Sequence, residues 1–201
     1  MLRILYAGSP DISSVVLESL IQSKQVQIVC VLTNPPSPQG RHKTLVETPV
    51  ATVARNKGIP VLEPEKLDAC VREQIKSFSP DLLVCFAYGK IFGPKFMDLF
   101  PQGGINLHPS LLPKYRGCAP VPAALLSGDE KTGITIQRLA QKMDSGDILL
   151  QKELLLTGNE TTGSLLEKVG QMGGDLLLQV LSQIDSGTEK PVPQKEEDAT
   201  F

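Results

Sequence analysis

The chain has 201 residues, 41% of them hydrophobic and 21% charged, enough for one well-buried domain of ordinary globular composition. A formal charge of -2 and a pI near 5.7 exclude a globally basic nucleic-acid binder but leave room for a local basic patch. No apolar run approaches the about 18 residues of a membrane span, so no membrane association and a cytoplasmic location are expected.

Leu2 to Ala7 reads as a first buried strand turned by Gly8. Ser9 is the expected N-cap and Pro10 the first position of a helix running to about Ser23. The turn Ala7-Gly8-Ser9-Pro10-Asp11 has too few glycines for a dinucleotide or Walker loop, and Pro10 removes an N–H that could cradle phosphate. Val26 to Thr33 is a second apolar strand. Residues 34–45 hold three prolines, one glycine and the basic triplet Arg41-His42-Lys43, and read as a long irregular exposed loop. On charge alone the triplet is a solvated surface run.

Pro49 to Lys57 and Leu67 to Ser77 are predicted helices, Ile59 to Leu62 and Leu82 to Phe86 strands, giving the βαβ alternation of a parallel sheet. A tight turn, Ala87-Tyr88-Gly89-Lys90-Ile91-Phe92, leads to a helix from Pro94. Gly104 to Leu107 is a short strand that Pro109 ends, and alternation puts Asn106 and His108 on one face at its carboxyl edge. That edge is where α/β sheets bind ligands, although a hydrogen-bonded histidine at a strand end is also a common structural feature. A helix to about Leu126, strands Gly133 to Leu139 and Ile148 to Leu154, and a helix Thr161 to Ile184 interrupted by Gly170 and Gly173-Gly174 complete the pattern. Residues 188–201 are charged and proline-broken, as a linker or C-terminal tail would be, so residues 1–187 form the expected domain.

Cys30, Cys70, Cys85 and Cys118 lack C-x2-C spacing and read as reduced core residues. Asp144-Ser145-Gly146-Asp147 makes a good turn, and turn-making by itself accounts for Asp144. With two histidines in the chain and no third nearby carboxylate, no metal is expected. Ser110 and Ser145 lack a Gly-x-Ser-x-Gly context, which disfavours a serine hydrolase.

Asn106-Leu107-His108-Pro109-Ser110-Leu111-Leu112-Pro113, with Lys114-Tyr115-Arg116-Gly117 and Asp144, resembles the signature of the folate-dependent formyltransferases. Ala7-Gly8-Ser9-Pro10-Asp11 and Arg116-Gly117-Cys118-Ala119-Pro120 are similar to the versions found in the methionyl-tRNA formyltransferases. The resemblance implies a Rossmann-like, doubly wound, mostly parallel α/β domain that carries a formyl group from 10-formyltetrahydrofolate to the α-amine of initiator methionyl-tRNA. It assigns catalysis to Asn106, His108 and Asp144, the first two stabilising a tetrahedral oxyanion and the third assisting proton transfer. It assigns folate binding to Phe86, Ala87, Tyr88, Gly89, Ile91, Ser110, Leu111, Leu112, Pro113, Leu139 and Met143. Arg41 and Lys43 fall where the family has a tRNA-contacting insertion. The family's C-terminal β-barrel has no counterpart in these residues, so the resemblance covers the catalytic domain. The alternative acceptor is a small amine, an amino-sugar nucleotide or glycinamide ribonucleotide. A monomer is expected, since no exposed apolar repeat argues otherwise.

Overall fold

A computed structural model describes residues 1–201, and the chain divides into two compact units, Met1–Gly104 and Ile105–Phe201. The class is α/β, with a mostly parallel set of central strands and flanking helices as expected.

In the N-terminal unit, strands β1 (Arg3–Gly8) and β2 (Gln27–Leu32) are nearly continuous apolar runs because both of their faces are covered. With β5 (Val61–Leu62) and β6 (Leu82–Phe86) they lie in the order β5-β2-β1-β6, every pair parallel. Helices α1 (Asp11–Ser23), α2 (Pro49–Asn56), α3 (Ala69–Ser77) and α4 (Pro94–Met97) supply the connections. Asp68 and Thr48 cap α3 and α2, whereas α1 has Pro10 at its N-cap and no side-chain cap. Ser9, the expected cap, is used elsewhere: its Oγ accepts from the Asn34 amide nitrogen and side chain at 3.2 and 3.0 Å. Tyr6 is fully buried and donates its hydroxyl to the Ser13 carbonyl at 2.8 Å, while Ser13 Oγ donates to the Phe86 carbonyl at 2.8 Å.

Residues 34–45 are more ordered than an irregular loop. Strands β3 (Ser37–Gln39) and β4 (Thr44–Val46) pair antiparallel, and both are exposed. Gly40 and Lys43 adopt left-handed backbone and Lys43 N donates to Gly40 O at 3.2 Å, so local turn chemistry closes the hairpin. The cysteine reading needs a correction as well: Cys30 and Cys85 are buried, but Cys70 and Cys118 are exposed, because they fall at the start of α3 and in an irregular segment.

The C-terminal unit is built on β7 (Gly104–His108), β8 (Lys131–Arg138) and β9 (Ile148–Leu155), antiparallel in the order β7-β8-β9. Helix α5 (Pro120–Leu126) precedes β8, and α6 (Thr162–Ser186) packs against α5, β8 and β9. Thr161 and Ser164 form a capping box and Gly187 closes α6 in left-handed conformation. The expected interruption of α6 does not occur: the helix runs unbroken for 25 residues. Gly170, Gly173 and Gly174 lie on its buried face with Leu165, Val169, Leu177, Val180, Leu181 and Ile184, where close packing offsets the about 1 kcal/mol per residue that helical glycine costs.

Candidate active site

Alternation along β7 buries Ile105 and Leu107 on one face and turns Asn106 and His108 to the other. The antiparallel register sets Gln137 opposite Asn106 and Thr135 opposite His108, and Gln151 of β9 opposite Thr135. A polar stripe therefore crosses three strands whose reverse positions, Ile134 and Ile136, are fully buried. The β8–β9 register shifts between Ile136 and Gln137, a bulge beside the site.

Thr135 fixes the chain after Pro109. Its hydroxyl donates to Ser110 O at 2.7 Å and accepts from Leu112 N at 3.1 Å and Gln151 Nε2 at 2.9 Å. Gln151 also donates to Leu112 O at 2.8 Å, and Ser110 Oγ to Lys114 O at 2.6 Å. These bonds satisfy a turn that would otherwise bury unpaired backbone groups.

His108 is buried, with Nε2 2.8 Å from the Tyr115 carbonyl oxygen. A carbonyl only accepts, so Nε2 carries the proton of the neutral ring and Nδ1 is left with its lone pair. Nδ1 faces Asp144 Oδ1 at 3.7 Å, beyond direct hydrogen bonding. Asp144 is itself held in left-handed backbone: Oδ2 accepts from Gly117 N and Oδ1 from Gln137 Nε2, both at 2.9 Å. The arrangement presents two acceptors across a gap that a proton on Nδ1, or a donor between them, would satisfy.

Burial pushes the His108 imidazole below its usual pKa, outweighing the opposite pull of the Asp144 carboxylate and the Tyr115 carbonyl. Asp144 thus acts in the expected direction, but the net shift is downward. The resting ring is a neutral base: its one N–H, on Nε2, is committed to the Tyr115 carbonyl, and Nδ1 is an acceptor. Asn106 is half-buried and no protein group bonds its carboxamide, so its NH2 is the donor on this face that remains free.

The formyl transferase family model matches residues 2–181. The chain belongs to the formyl transferase family. The chain is 46% identical over 208 residues to the methionyl-tRNA formyltransferase of Treponema denticola, a match covering 100% of this chain and 64% of that protein. The chain thus spans just under two thirds of that relative's length. Among solved structures it resembles phosphoribosylglycinamide formyltransferase from Bacillus halodurans, with a TM-score of 0.78 at 23% identity over 92% of this chain and 95% of that one. It also resembles the N-formyltransferase from Helicobacter canadensis in complex with folinic acid and dTDP-3-aminofucose, with a TM-score of 0.75 at 20% identity over 100% of this chain and 70% of that one. At these identities the likeness establishes the fold.

Of the residues singled out in the sequence, Asn106 and His108 share one strand face and Asp144 faces His108. Ser110 and Leu112 are buried, with the Ser110 hydroxyl and the Leu112 N–H already bonded internally, while Leu111, Pro113 and Leu139 are half-buried and Met143 is exposed. In the N-terminal unit, Phe86 and Tyr88 are buried, Ala87 takes left-handed backbone, and Gly89 and Ile91 are exposed. Tyr88 stacks on Phe92 at 5.5 Å between ring centres, and its carbonyl accepts from Asn34 Nδ2 at 2.8 Å. Arg41 and Lys43 sit at the exposed tip of the β3–β4 hairpin. No helix is long and apolar enough to cross a membrane. Sequence reasoning missed Gln137, Thr135 and Gln151, although the Ile-Thr-Ile-Gln alternation of β8 marks a polar face. It also missed Gln194, whose side chain reaches Gln137 and the Asp144 turn from 50 residues or more along the chain.

Proposed function

We propose that the protein transfers the formyl group of 10-formyltetrahydrofolate to the α-amino group of initiator methionyl-tRNA. The observation that carries the reading is the orientation of His108: Nε2 is committed to Tyr115 O, and Nδ1 looks across 3.7 Å at Asp144. The names of relatives such as the Treponema denticola protein support the acceptor. The donor-binding roles of Phe86 to Gly89, Ile91, Ser110 to Pro113, Leu139 and Met143, and the tRNA-binding roles of Arg41 and Lys43, rest on the resemblance. With a charged tRNA as acceptor, the place of action is the cytoplasm. The proposed catalytic domain is residues 1–187, acting as a monomer.

The donor supplies an amide carbonyl activated by attachment to N10. The neutral amine attacks the formyl carbon, the carbonyl electron pair moves to oxygen, and the Asn106 NH2 donates to that oxygen. His108 Nδ1 takes the proton the amine loses, and Asp144 stabilises the imidazolium it becomes. The same proton returns to N10 as the carbon–N10 bond breaks, leaving the protein unchanged. The neutral resting ring suits this order, because a base must begin without its proton.

The test is transfer of labelled formyl from 10-formyltetrahydrofolate to charged initiator methionyl-tRNA at low salt, where phosphate contacts still count. Transfer that falls by about 100-fold or more in His108→Ala and Asn106→Ala supports the reading. Transfer to an amino-sugar nucleotide or to glycinamide ribonucleotide in its place would assign the alternative acceptor. No effect of either substitution would sink the mechanism.

A further inference from the structure

We propose that the C-terminal segment Gln194–Thr200 is a positioning strap for the catalytic pair, fixing the two turns that hold His108 and Asp144. Neither side chain is oriented by its own strand alone. His108 is anchored through the Tyr115 carbonyl, and Asp144 through the Gly117 N–H. The strap grips that same turn from behind: Tyr115 N donates to Thr200 Oγ1 and Arg116 N to Thr200 O, each at 2.8 Å. Gln194 grips the other turn, its Nε2 donating to Asp144 O at 2.9 Å and Gly146 O at 2.7 Å.

Arg116 joins the two. Its side chain is fully buried, yet the acceptors it finds come from the strap: Gln194 Oε1 from Nε and Nη2, and both oxygens of Glu196 from Nη1 and Nη2. A buried guanidinium stripped of these acceptors must move towards water, and it carries Tyr115 and Gly117 on either side. Lys142 adds a second cation to Glu196 at 2.8 Å, tying in the chain just before Asp144. Tyr115 and Asp144 are both non-glycine residues in left-handed backbone, a conformation that persists where the surroundings fix it. Gln194 and Glu196 are therefore positioning residues that touch neither reactant, in a segment whose composition reads as a linker.

The inference rests on the roles proposed for His108 and Asp144, so its readout is chosen to be independent of the acceptor. The chain has two histidines, His42 on the exposed hairpin and buried His108, and a proton NMR titration of the full 201-residue chain resolves both, with His42→Gln assigning them. The charged groups around His108 in this titration are Asp144 facing the ring and, behind its two anchors, Arg116, Lys142 and Glu196, with Asp129 bonded to the Tyr115 hydroxyl at 2.9 Å. In Gln194→Ala and Glu196→Gln the His108 midpoint is expected to rise by at least about 0.5 as water reaches the ring. The formyl-transfer kcat is expected to fall by about 10- to 100-fold with the donor KM unchanged, as for a misplaced catalytic group. Gln194→Glu, which still accepts from Arg116, should fall between. Glu197→Gln, on a neighbouring exposed carboxylate, should match the parent in both readouts.

Glu196 is largely exposed, so Glu196→Gln tests the proposal even where Gln194→Ala fails to fold. A His108 midpoint that coincides with the parent's in every folded variant would overturn the strap and leave the segment a stability element. Failure of formyl transfer in the parent would instead overturn the proposed function, with the titration still deciding the strap.

Discussion

His108 Nδ1 faces Asp144 Oδ1 at 3.7 Å while the opposite ring nitrogen is bonded to a backbone carbonyl, so the carboxylate can act on the histidine only through the proton that Nδ1 acquires. Asp144→Asn removes the charge and keeps the shape. Formyl-transfer kcat is expected to fall by about 10²- to 10⁴-fold, with the His108 titration midpoint moving further down, since the carboxylate is one of the influences holding it up. Steady-state kinetics and NMR on the same variant check both parts, and an unchanged midpoint would dissociate the pair.

The buried ring also couples stability to pH. With a folded pKa below the ordinary value of about 6.5, His108 binds a proton more readily in the unfolded chain. Its contribution to stability is complete above about pH 6.5 and is lost as pH falls through the folded value. Urea midpoints measured from pH 8 to 5 should decline, and His108→Gln should flatten that decline. A decline of equal slope in the variant would place the coupling elsewhere.

The strap has its own acid limit. Arg116, and after it Lys142, hold the Glu196 carboxyl down to about 2. The ion pair is present above the ordinary carboxylate range and is lost as pH falls from about 4.5 through about 2. Because this carboxylate is exposed, added salt should weaken the link as well. Thermal melts of the parent and Glu196→Gln should converge at the acid end and separate above it.

Gly146 shows how tightly the turn is made. A Cβ placed there would overlap the Arg138 carbonyl oxygen and come within 2.7 Å of its carbon, both backbone atoms of β8 that cannot swing aside. Gly146→Ala should cost about 3 kcal/mol or more by urea denaturation. Gly163, near the start of α6, meets nothing closer than 3.8 Å, and Gly163→Ala should be neutral or stabilising by up to about 1 kcal/mol. Equal effects at the two positions would contradict this packing.

Arg41 and Lys43 stand at an exposed hairpin tip with no bearing on the core. Arg41→Ala and Lys43→Ala should leave the melting temperature unchanged and weaken tRNA binding, each lowering the slope of log affinity against log salt by about one. Binding of parent strength at every salt concentration would remove the hairpin from the tRNA-contacting surface.

Much of this molecule is legible in the chain itself. The apolar runs at β1, β2 and β6, short and bounded by turn residues, read as strands covered on both faces, and the proline after His108 ends β7 where its polar pair emerges. Local chemistry of this kind needs no knowledge of distant partners. The hairpin at residues 37–46 was less legible, because prolines and charges mask the short alternation that pairs β3 with β4.

Tertiary structure decided everything that depends on residues far apart in sequence. The sign of the His108 shift follows from how completely the folded chain covers the ring, which no local pattern states. Gln137 became a partner of Asp144 because the turn after β8 brings the carboxylate back to within 2.9 Å of the Gln137 side chain. Gln194 and Glu196, in a stretch whose composition reads as a solvated tail, acquired their places because Arg116 is buried and needs acceptors. Sequence determines which groups are available; burial and long-range bonding determine which of them are held, in what protonation state, and facing what.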